Sequence, residues 1–340
     1  MEVGLRAAEG RTLYEELDSY RLCRATRTPP PKGARVARRL GTKDAYMARF
    51  RYPLSFQTVL PIDYAKNEEF RRLLALMKEL GLWGIELNVA DPGDARVSDV
   101  AAVRAFLARF GLNLSMYATG LTAKSRGLSL SDTDEERRRA AAEGAKGMIR
   151  WVAGSGAQAA TSRSAGDPPK AGIIIGFLKG GVSSEPSRAR AQLVRSLVEI
   201  APHAREAGVP VLLEATNRYE ASVANSLADT VAVIRDAEQA LGWHERPATL
   251  QILPDTFHMN IEEPNMERAM KEHASYFSSF HLSDNNRRFP GFGAIDFAKV
   301  ASILGEMGYQ GRVAIEGNTG GALLDDLRRS VEYLAAILAS

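Results

Sequence analysis

Short apolar runs alternate with longer amphipathic stretches along most of this chain, beginning near Leu54. The apolar runs have the roughly four to eight residues of a buried strand, and the longer stretches repeat apolar residues at helical spacing. Between 67 and 80 one helical face is apolar, and Gly81 follows as a stop signal. That face consists of Phe70, Leu73, Leu74, Met77 and Leu80. Alternation of this kind predicts βαβ units and a parallel sheet.

Eight strands and eight helices can be counted in this pattern. The predicted strands lie at 54–59, 84–89, 113–117, 173–177, 211–214, 250–254, 276–280 and 312–315. The predicted helices lie at about 67–80, 98–110, 136–152, 187–207, 226–241, 265–273, 296–307 and 322–338. A parallel (β/α)8 barrel takes about 250 residues. The fold prediction is therefore an α/β protein, a (β/α)8 TIM barrel with an N-terminal extension.

The domain prediction assigns residues 1–51 to a basic, flexible N-terminal extension and residues 52–340 to the barrel. The extension has three consecutive prolines, scattered arginines and little apolar periodicity. Met47 lies just before the first strand, so one interpretation is that the protein starts there and that residues 1–46 are an upstream-start artefact. The alternatives are that these residues form a docking arm or a nucleic-acid patch. A second irregular stretch, 154–172, is rich in Ala, Ser, Gly and Pro and is predicted to be a surface loop insertion.

Composition narrows the class of protein. With 45% hydrophobic and 25% charged residues, the chain has the make-up of a soluble globular protein. It has no signal-peptide core and no apolar run near the roughly 18 residues of a membrane span. Its single cysteine, Cys23, excludes an internal disulfide and fits a reducing compartment.

The basic net charge does not argue for nucleic-acid binding. Residues 1–51 contain 12 Lys or Arg and 6 Asp or Glu, whereas the remaining chain contains 32 basic and 35 acidic residues. The positive charge therefore lies on the extension, and the barrel itself is mildly acidic.

Candidate chemistry appears where four of the predicted strands end. Each delivers one oxygen or nitrogen ligand, namely Glu214, Asp255, His281 and Glu316. An ionised carboxylate at the end of a buried strand needs charge compensation, and a metal ion is one form of it. Carboxyl ends of barrel strands meet at one rim, so the pattern predicts a metal site there. Glu86, at another strand, is expected to be solvated or ion-paired.

Three carboxylates with one imidazole suit Mn²⁺ or Co²⁺, or Mg²⁺, better than structural Zn²⁺. Such an ion can hold two sugar oxygens and stabilise an enediolate, while two carboxylates take and return a proton on opposite faces. Glu214 and Glu316 form the predicted catalytic pair. The predicted substrate-binding residues are Glu220, His258 and Arg287. Lys179 is either a substrate contact or a solvated lysine.

At these residues the chain resembles the xylose-isomerase-like barrels, and within them the ketose 3-epimerases and hydroxypyruvate-isomerase-like proteins. The resemblance covers about residues 54–338 and rests on spacing. It consists of Glu214 with Glu220, Asp255 with His258, His281 with Arg287, the sequence Pro-Gly-x-Gly-x-x-Asp-Phe at 290–297, Ile-Ile-Gly at 174–176, and Glu316 in Val-Ala-Ile-Glu. The chain has Phe-Leu-Lys-Gly at 177–180, where relatives often have Pro-Leu-Arg-Gly.

The resemblance implies a divalent-metal-dependent isomerase that epimerises a small sugar, a ketose, at C3. It implies metal binding by Glu214, Asp255, His281 and Glu316, and substrate binding by Glu220, His258 and Arg287. It also implies a cytoplasmic homodimer or homotetramer that binds neither nucleic acid nor membrane. The departures from the family pattern lie where substrate selectivity is set, so the sugar stays open.

Several other functions remain as alternatives. A ketose–aldose or hydroxypyruvate-type isomerase, or an inosose dehydratase-like lyase, would use the same site. A non-catalytic sugar-binding barrel belongs to a different class. An apurinic endonuclease shares the barrel but needs three zinc ions, and only His258 and His281 lie at strand ends here, which is too few histidines for it.

Overall fold

The computed structural model describes residues 50–154, 170–243 and 248–339. The predicted extension at 1–51 therefore lies outside the described residues except for its last two positions. Most of the predicted insertion at 154–172 also lies outside them. Both stay predictions, as does the domain boundary between them and the barrel.

Eight parallel strands form one sheet. They are β1 (Leu54–Val59), β2 (Gly84–Asn88), β3 (Asn113–Ala118), β4 (Gly172–Ile175), β5 (Val211–Glu214), β6 (Leu250–Leu253), β7 (Ser279–Leu282) and β8 (Arg312–Ile315). Their order is β6-β5-β4-β3-β2-β1-β8-β7. The two outer strands approach each other through a parallel bridge between Asp255 and His281, where the His281 N–H donates to the Pro254 carbonyl at 2.9 Å. The barrel is therefore nearly closed, and the (β/α)8 prediction is confirmed.

Helices fill the connections between the strands. In the described residues they are α1 (Glu68–Glu79), α2 (Val100–Ala108), α3 (Gly120–Arg126), α4 (Glu135–Ala153), α5 (Pro186–Ala207), α6 (Leu227–Ala240), α7 (Thr256–Glu262), α8 (Met266–Glu272), α9 (Phe297–Glu306) and α10 (Leu323–Ile337). Polar side chains cap many of their first turns, as expected for Asp, Asn and Ser. The capping residues are Asn67, Asp99, Asp134, Ser226, Asp255, Asn265 and Asp296.

Two helices and one strand position differ from the sequence prediction. Helices α3 and α7, of seven residues each, were not predicted; each begins within three residues of the end of a strand, so no separate amphipathic stretch announces it. The strand predicted at 276–280 lies at 279–282, since a 3₁₀ turn occupies Ala274–Tyr276. His281 is therefore inside β7 rather than behind it.

The interior of the barrel has two different sides. A small apolar cluster, separate from the main core, consists of Met116, Ala118, Ile174, Leu212 and Leu253. Successive residues of a strand alternate between faces. Leu212 and Leu253 thus share a face with Glu214 and Asp255, two residues further along. The small cluster forms an apolar floor under these ligands, whereas β2 and β7 present polar residues to the same interior.

Among the residues that the structure describes, no helix is both long and apolar enough to cross a bilayer.

Candidate metal and substrate site

Four side chains from neighbouring strand ends converge at the carboxyl rim of the barrel. Glu214, Asp255, His281 and Glu316 each offer one ligand atom, and these atoms all lie within 4.8 Å of one another. The first three are buried, and the Glu316 side chain retains 17% exposure. The four predicted ligands are thus brought together in a group that has the size and donor set of a metal site.

His281 points one ring nitrogen at the carboxylates and the other away from them. Its Nδ1 lies 2.5 Å from Glu316 Oε2 and 3.9 Å from both Glu214 Oε1 and Asp255 Oδ2. Its Nε2 lies 2.9 Å from Glu86 Oε2. Three carboxylates thus surround one nitrogen of His281, and a fourth contacts the other.

Glu86 is a site residue that the sequence reasoning missed. It lies in β2 with no exposed surface and pairs with His281. The expectation of an ion-paired residue is confirmed, and the alternative of a solvated one is wrong. A carboxylate in the middle of an otherwise apolar strand was the available signal, because the interior of a barrel strand does not leave it in water.

Asp255 and the loop after β7 hold Arg287 over the site. The guanidinium of Arg287 donates to Asp255 Oδ2 and Glu316 Oε1, each at 2.8 Å, and stacks 5.0 Å above the Phe257 ring. Arg287 has a left-handed backbone with φ of 58°, which is uncommon for an arginine. The turn places this cation where it bridges two of the carboxylates.

Asp284 organises that turn. Its buried carboxylate accepts hydrogen bonds from the backbone N–H groups of Gly291, Gly293 and Ile295 at 2.7–3.1 Å. A Cβ on Gly293 would lie 2.3 Å from Asp284 Oδ1, so the close approach requires glycine. The Pro-Gly-x-Gly segment therefore wraps around a buried carboxylate and sets the conformation of the Arg287 loop.

Asn217 links two predicted substrate residues and was also missed. Its backbone N–H and its Nδ2 lie 3.2 and 2.9 Å from His258 Nδ1, and Nδ2 also donates to Glu220 Oε1 at 2.9 Å. Because His258 Nδ1 accepts the backbone hydrogen bond, the ring proton is left on Nε2. That nitrogen lies 3.7 Å from Glu214 Oε1. His258 thus lies beside Glu214, and Asn217 links it to Glu220; the substrate-binding roles of both stay predictions.

The two predicted catalytic carboxylates have opposite electrostatic surroundings. Burial, together with the charge of Glu316, raises the pKa of Glu214 to about 8. Glu316 is also buried, which raises its pKa, but Arg287 and His281 outweigh this and hold the pKa well below its usual value. Burial lowers the pKa of His258, which favours the neutral ring.

The donor set fits a divalent ion. Glu214 Oε1 is buried and has no hydrogen-bond partner among the described residues, so it is an oxygen that lacks a counter-charge. An ion between the carboxylates and His281 Nδ1 would supply that charge. A Cβ on Gly176 would lie 2.3 Å from Glu214 Oε2, so glycine at this position leaves the carboxylate the space it occupies.

Lys179 contradicts both expectations made for it. Its side chain is fully buried, and its Nζ donates to the backbone carbonyls of Glu214 and Ala224 at 2.8 Å each. It is neither solvated nor in a position to contact substrate. Burial lowers its pKa to about 7. The lysine instead ties the end of β5 to the loop that follows it.

The chain is similar in sequence to known proteins. The family model described as Xylose isomerase-like TIM barrel matches residues 74–337. L-ribulose 3-epimerase of Mesorhizobium japonicum is 29% identical over 254 residues, which are 74% of this chain and 76% of that protein. The 3-dehydro-D-guloside 4-epimerase of Escherichia coli is 28% identical over 252 residues, 74% of this chain and 86% of the relative. D-psicose 3-epimerase of Enterocloster bolteae is 30% identical over 135 residues, 40% of this chain and 42% of that relative, so the match spans less than half its length.

Solved structures share the fold. The apo structure of E. coli 3-keto-D-glucoside 4-epimerase superposes with a TM-score of 0.63 at 24% identity and covers 84% of this chain and 99% of its own. D-allulose 3-epimerase from Methylomonas sp., in complex with D-allulose, has a TM-score of 0.63 at 20% identity, with 85% and 96% coverage. At these identities the likeness concerns the fold alone. The family match, however, spans more than three quarters of the sequence. This chain therefore belongs to the xylose isomerase-like TIM barrel family.

Proposed function

We propose that this protein is a divalent-metal-dependent carbohydrate epimerase that inverts C3 of a ketose. The observation that carries the proposal is the convergence of Glu214, Asp255, His281 and Glu316, whose ligand atoms lie within 4.8 Å of one another and include a pair of glutamates from different strands. The epimerase names of several relatives support it. Enzymes that move protons in both directions use such pairs, because one carboxyl group holds a proton while the other accepts one.

Glu214, Asp255, His281 and Glu316 are the proposed metal ligands. Three carboxylates with one imidazole are the donor set that Mn²⁺ and Co²⁺ accept, and Mg²⁺ is the third candidate. When bound, a divalent ion supplies Lewis-acid polarisation of the sugar oxygens and stabilises negative charge on them. The unpaired Glu214 oxygen supports this assignment.

Glu214 and Glu316 perform the proposed proton transfers. One carboxylate removes the proton from C3, and the C–H electron pair moves into a C2–C3 double bond while the C2 carbonyl oxygen takes up the charge. The other carboxyl group then returns a proton to the opposite face of C3, and the carbonyl re-forms. β5 and β8 are three strands apart on the rim, so the two groups approach the ligand group from different sides.

Arg287, His258 and Glu220 are the proposed substrate contacts. Neighbouring carboxylates outweigh burial and raise the pKa of Arg287, so it stays cationic and can donate to sugar oxygens. His258 presents its Nε2 proton toward Glu214, and a hydroxyl between them would bond both. Glu220, held by Asn217, accepts from a hydroxyl further along the sugar.

Proton NMR in D₂O tests the proposal directly. Purified protein loaded with Mn²⁺ or Co²⁺ is incubated with free ketohexoses and ketopentoses and quenched with chelator. Deuterium at C3 together with the C3 epimer is the expected result. Deuterium at C1 or C2 with an aldose product would assign a ketose–aldose isomerase instead. Release of water would assign a dehydratase-like lyase, and sugar binding without any exchange would assign a binding protein.

A second candidate is epimerisation at C4 of a 3-keto-glycoside. It is favoured by the E. coli 3-dehydro-D-guloside 4-epimerase, which matches over 86% of its length. The chemistry at the site is the same, because C4 is also next to a carbonyl. A 3-keto-glucoside included in the same NMR experiment distinguishes the two candidates by the carbon that acquires deuterium.

A further inference from the structure

We propose that Glu86 is a positioning residue that keeps a ring proton of His281 on Nε2, so that Nδ1 is the nitrogen left to bind an ion among the three carboxylates. The inference rests on the proposed function of this group as a metal site. It adds to that site a residue from β2, on a strand that contributes none of the four ligands.

The contact between Glu86 and His281 is direct and fully buried. Glu86 Oε2 lies 2.9 Å from His281 Nε2, and both side chains have no exposed surface. An ionised carboxylate can only accept a hydrogen bond, so Nε2 must donate. By the same argument Nδ1, 2.5 Å from Glu316 Oε2, also donates while no ion is bound. A metal ligand nitrogen must give up its proton, and because Glu86 holds the proton on Nε2, Nδ1 is the nitrogen that can do so among the carboxylates.

A hydrogen-bonded chain holds Glu86 in this position. Gln57 Nε2 donates to the same Glu86 oxygen at 3.4 Å, and Asn88 Nδ2 donates to Gln57 Oε1 at 3.1 Å. All three residues come from β1 and β2, and Glu86 lies in register with Met116 at the edge of the apolar floor. Gln57 and Asn88 thus orient the Glu86 oxygen that accepts from His281.

A purely structural explanation of Glu86 is weaker. Burying a carboxylate costs free energy, and an apolar residue would pack beside β1 and β3 without that cost. Moreover, Glu86 Oε1 is buried and has no hydrogen-bond partner among the described residues. The one oxygen that is engaged is the one that contacts His281. Carboxylate partners of metal-bound histidines fix the tautomer and raise the basicity of the ligand nitrogen.

The test compares Mn²⁺ binding to the wild-type protein and to Glu86→Gln by isothermal titration calorimetry. Glutamine has nearly the same shape but offers both an acceptor and a donor, so it no longer dictates the tautomer. We expect Mn²⁺ affinity to fall by about 10- to 100-fold. Glu79→Gln, which removes a carboxylate from an exposed ion pair with Arg328, is the matched control and should bind like the wild type.

Thermal denaturation separates positioning from general destabilisation. A merely structural role would lower the melting temperature with and without Mn²⁺ by the same amount. A positioning role reduces the shift that Mn²⁺ causes. An unchanged Mn²⁺ affinity in Glu86→Gln would overturn the inference. If the wild type itself bound no Mn²⁺, Co²⁺ or Mg²⁺, the proposed metal site would be wrong, and with it the role of Glu86.

A measurement on the unmodified protein covers the case in which the variant does not fold. Long-range ¹H–¹⁵N NMR of the Mg²⁺-loaded protein reports which nitrogen of His281 carries the proton. We expect a protonated Nε2. A proton on Nδ1 would contradict the inference, whatever the variants do.

Discussion

Glu214 and Glu316 carry the same side chain in different surroundings. Glu214 lies above the apolar floor with one oxygen unpaired, whereas Glu316 meets Arg287 and His281. Burial raises the pKa of the first to about 8, and the two cations lower that of the second despite its burial. The contrast comes from neighbours contributed by β7, its following loop and the inner faces of β4 to β6, not from the glutamates themselves.

This contrast leads to a prediction for two single variants. Glu214→Gln and Glu316→Gln should each lower kcat of the epimerisation by at least about 10²-fold, because each removes a group that accepts or donates the proton. Activity is measured as deuterium incorporation in D₂O. Melting temperatures in EDTA should stay close to that of the wild type, since the amide keeps the shape of the side chain.

Glu332→Gln is the control for this pair, because Glu332 is exposed on α10. Full activity in both site variants would remove the two-carboxylate mechanism. Loss in only one of them would indicate a single general base, with water or another group returning the proton.

At the scale of elements, α4 and α5 are joined by a buried cation. Arg138 on α4 has no exposed surface and donates to Glu135 on its own helix and to Ser196 and Glu199 on α5. These two helices carry the connections that lead into and out of β4, next to the Gly176 turn at the site. The contact therefore links the outer layer to the strand that borders Glu214.

The arginine network makes a pH-dependent prediction. The hydrogen bond from Arg138 is the main reason that the pKa of Glu135 falls to about 2, against burial. The unfolded value lies near 4.5, so the stabilisation from this carboxylate is present above about pH 4.5 and is lost as the pH falls toward 2. Arg138→Met should lower the free energy of unfolding at pH 7 by about 2 kcal/mol, and by less near pH 3.

Urea denaturation of wild type and variant at pH 7, 4 and 3 measures this difference. Arg139→Met is the matched control, because Arg139 pairs with the same Glu135 but is largely exposed, and it should cost much less. A difference between wild type and Arg138→Met that does not change with pH would mean that packing, rather than the ion pair, supplies the stability.

At the scale of the whole molecule, the barrel brings residues from four strands to one point and leaves excess negative charge there. An ion that binds this group in the folded protein, and not in the unfolded chain, stabilises the fold by mass action. Mn²⁺ at about 100 times its dissociation constant should add about 2.7 kcal/mol and raise the melting temperature by several degrees.

The measurement compares protein in EDTA with protein in excess Mn²⁺ by differential scanning fluorimetry. His281→Ala should abolish most of the shift, because it removes the one nitrogen ligand. A shift that survives in this variant would place the ion elsewhere. Light scattering on the same samples tests the predicted homodimer or homotetramer, and a monomer would contradict it.

The sequence by itself determined the eight βα units and the four candidate ligands at strand ends. Both depend on local chemistry: apolar periodicity, capping residues, and a polar group placed directly after a buried run. The spacing of Glu214 with Glu220 and of Asp255 with His258 is also local, since each pair lies on one connection. For this reason the fold class, and the four residues that converge, could be predicted without coordinates.

Only the tertiary structure decided which side chains support the ligands. Glu86 meets His281 from 195 positions away, Asn217 orients His258 across 41 positions, and Lys179 turns inward to the end of β5. No spacing rule reports such contacts. They depend on strand order, on which face of a strand points inward and on how deeply each polar atom is buried, and these quantities exist only once the barrel has closed.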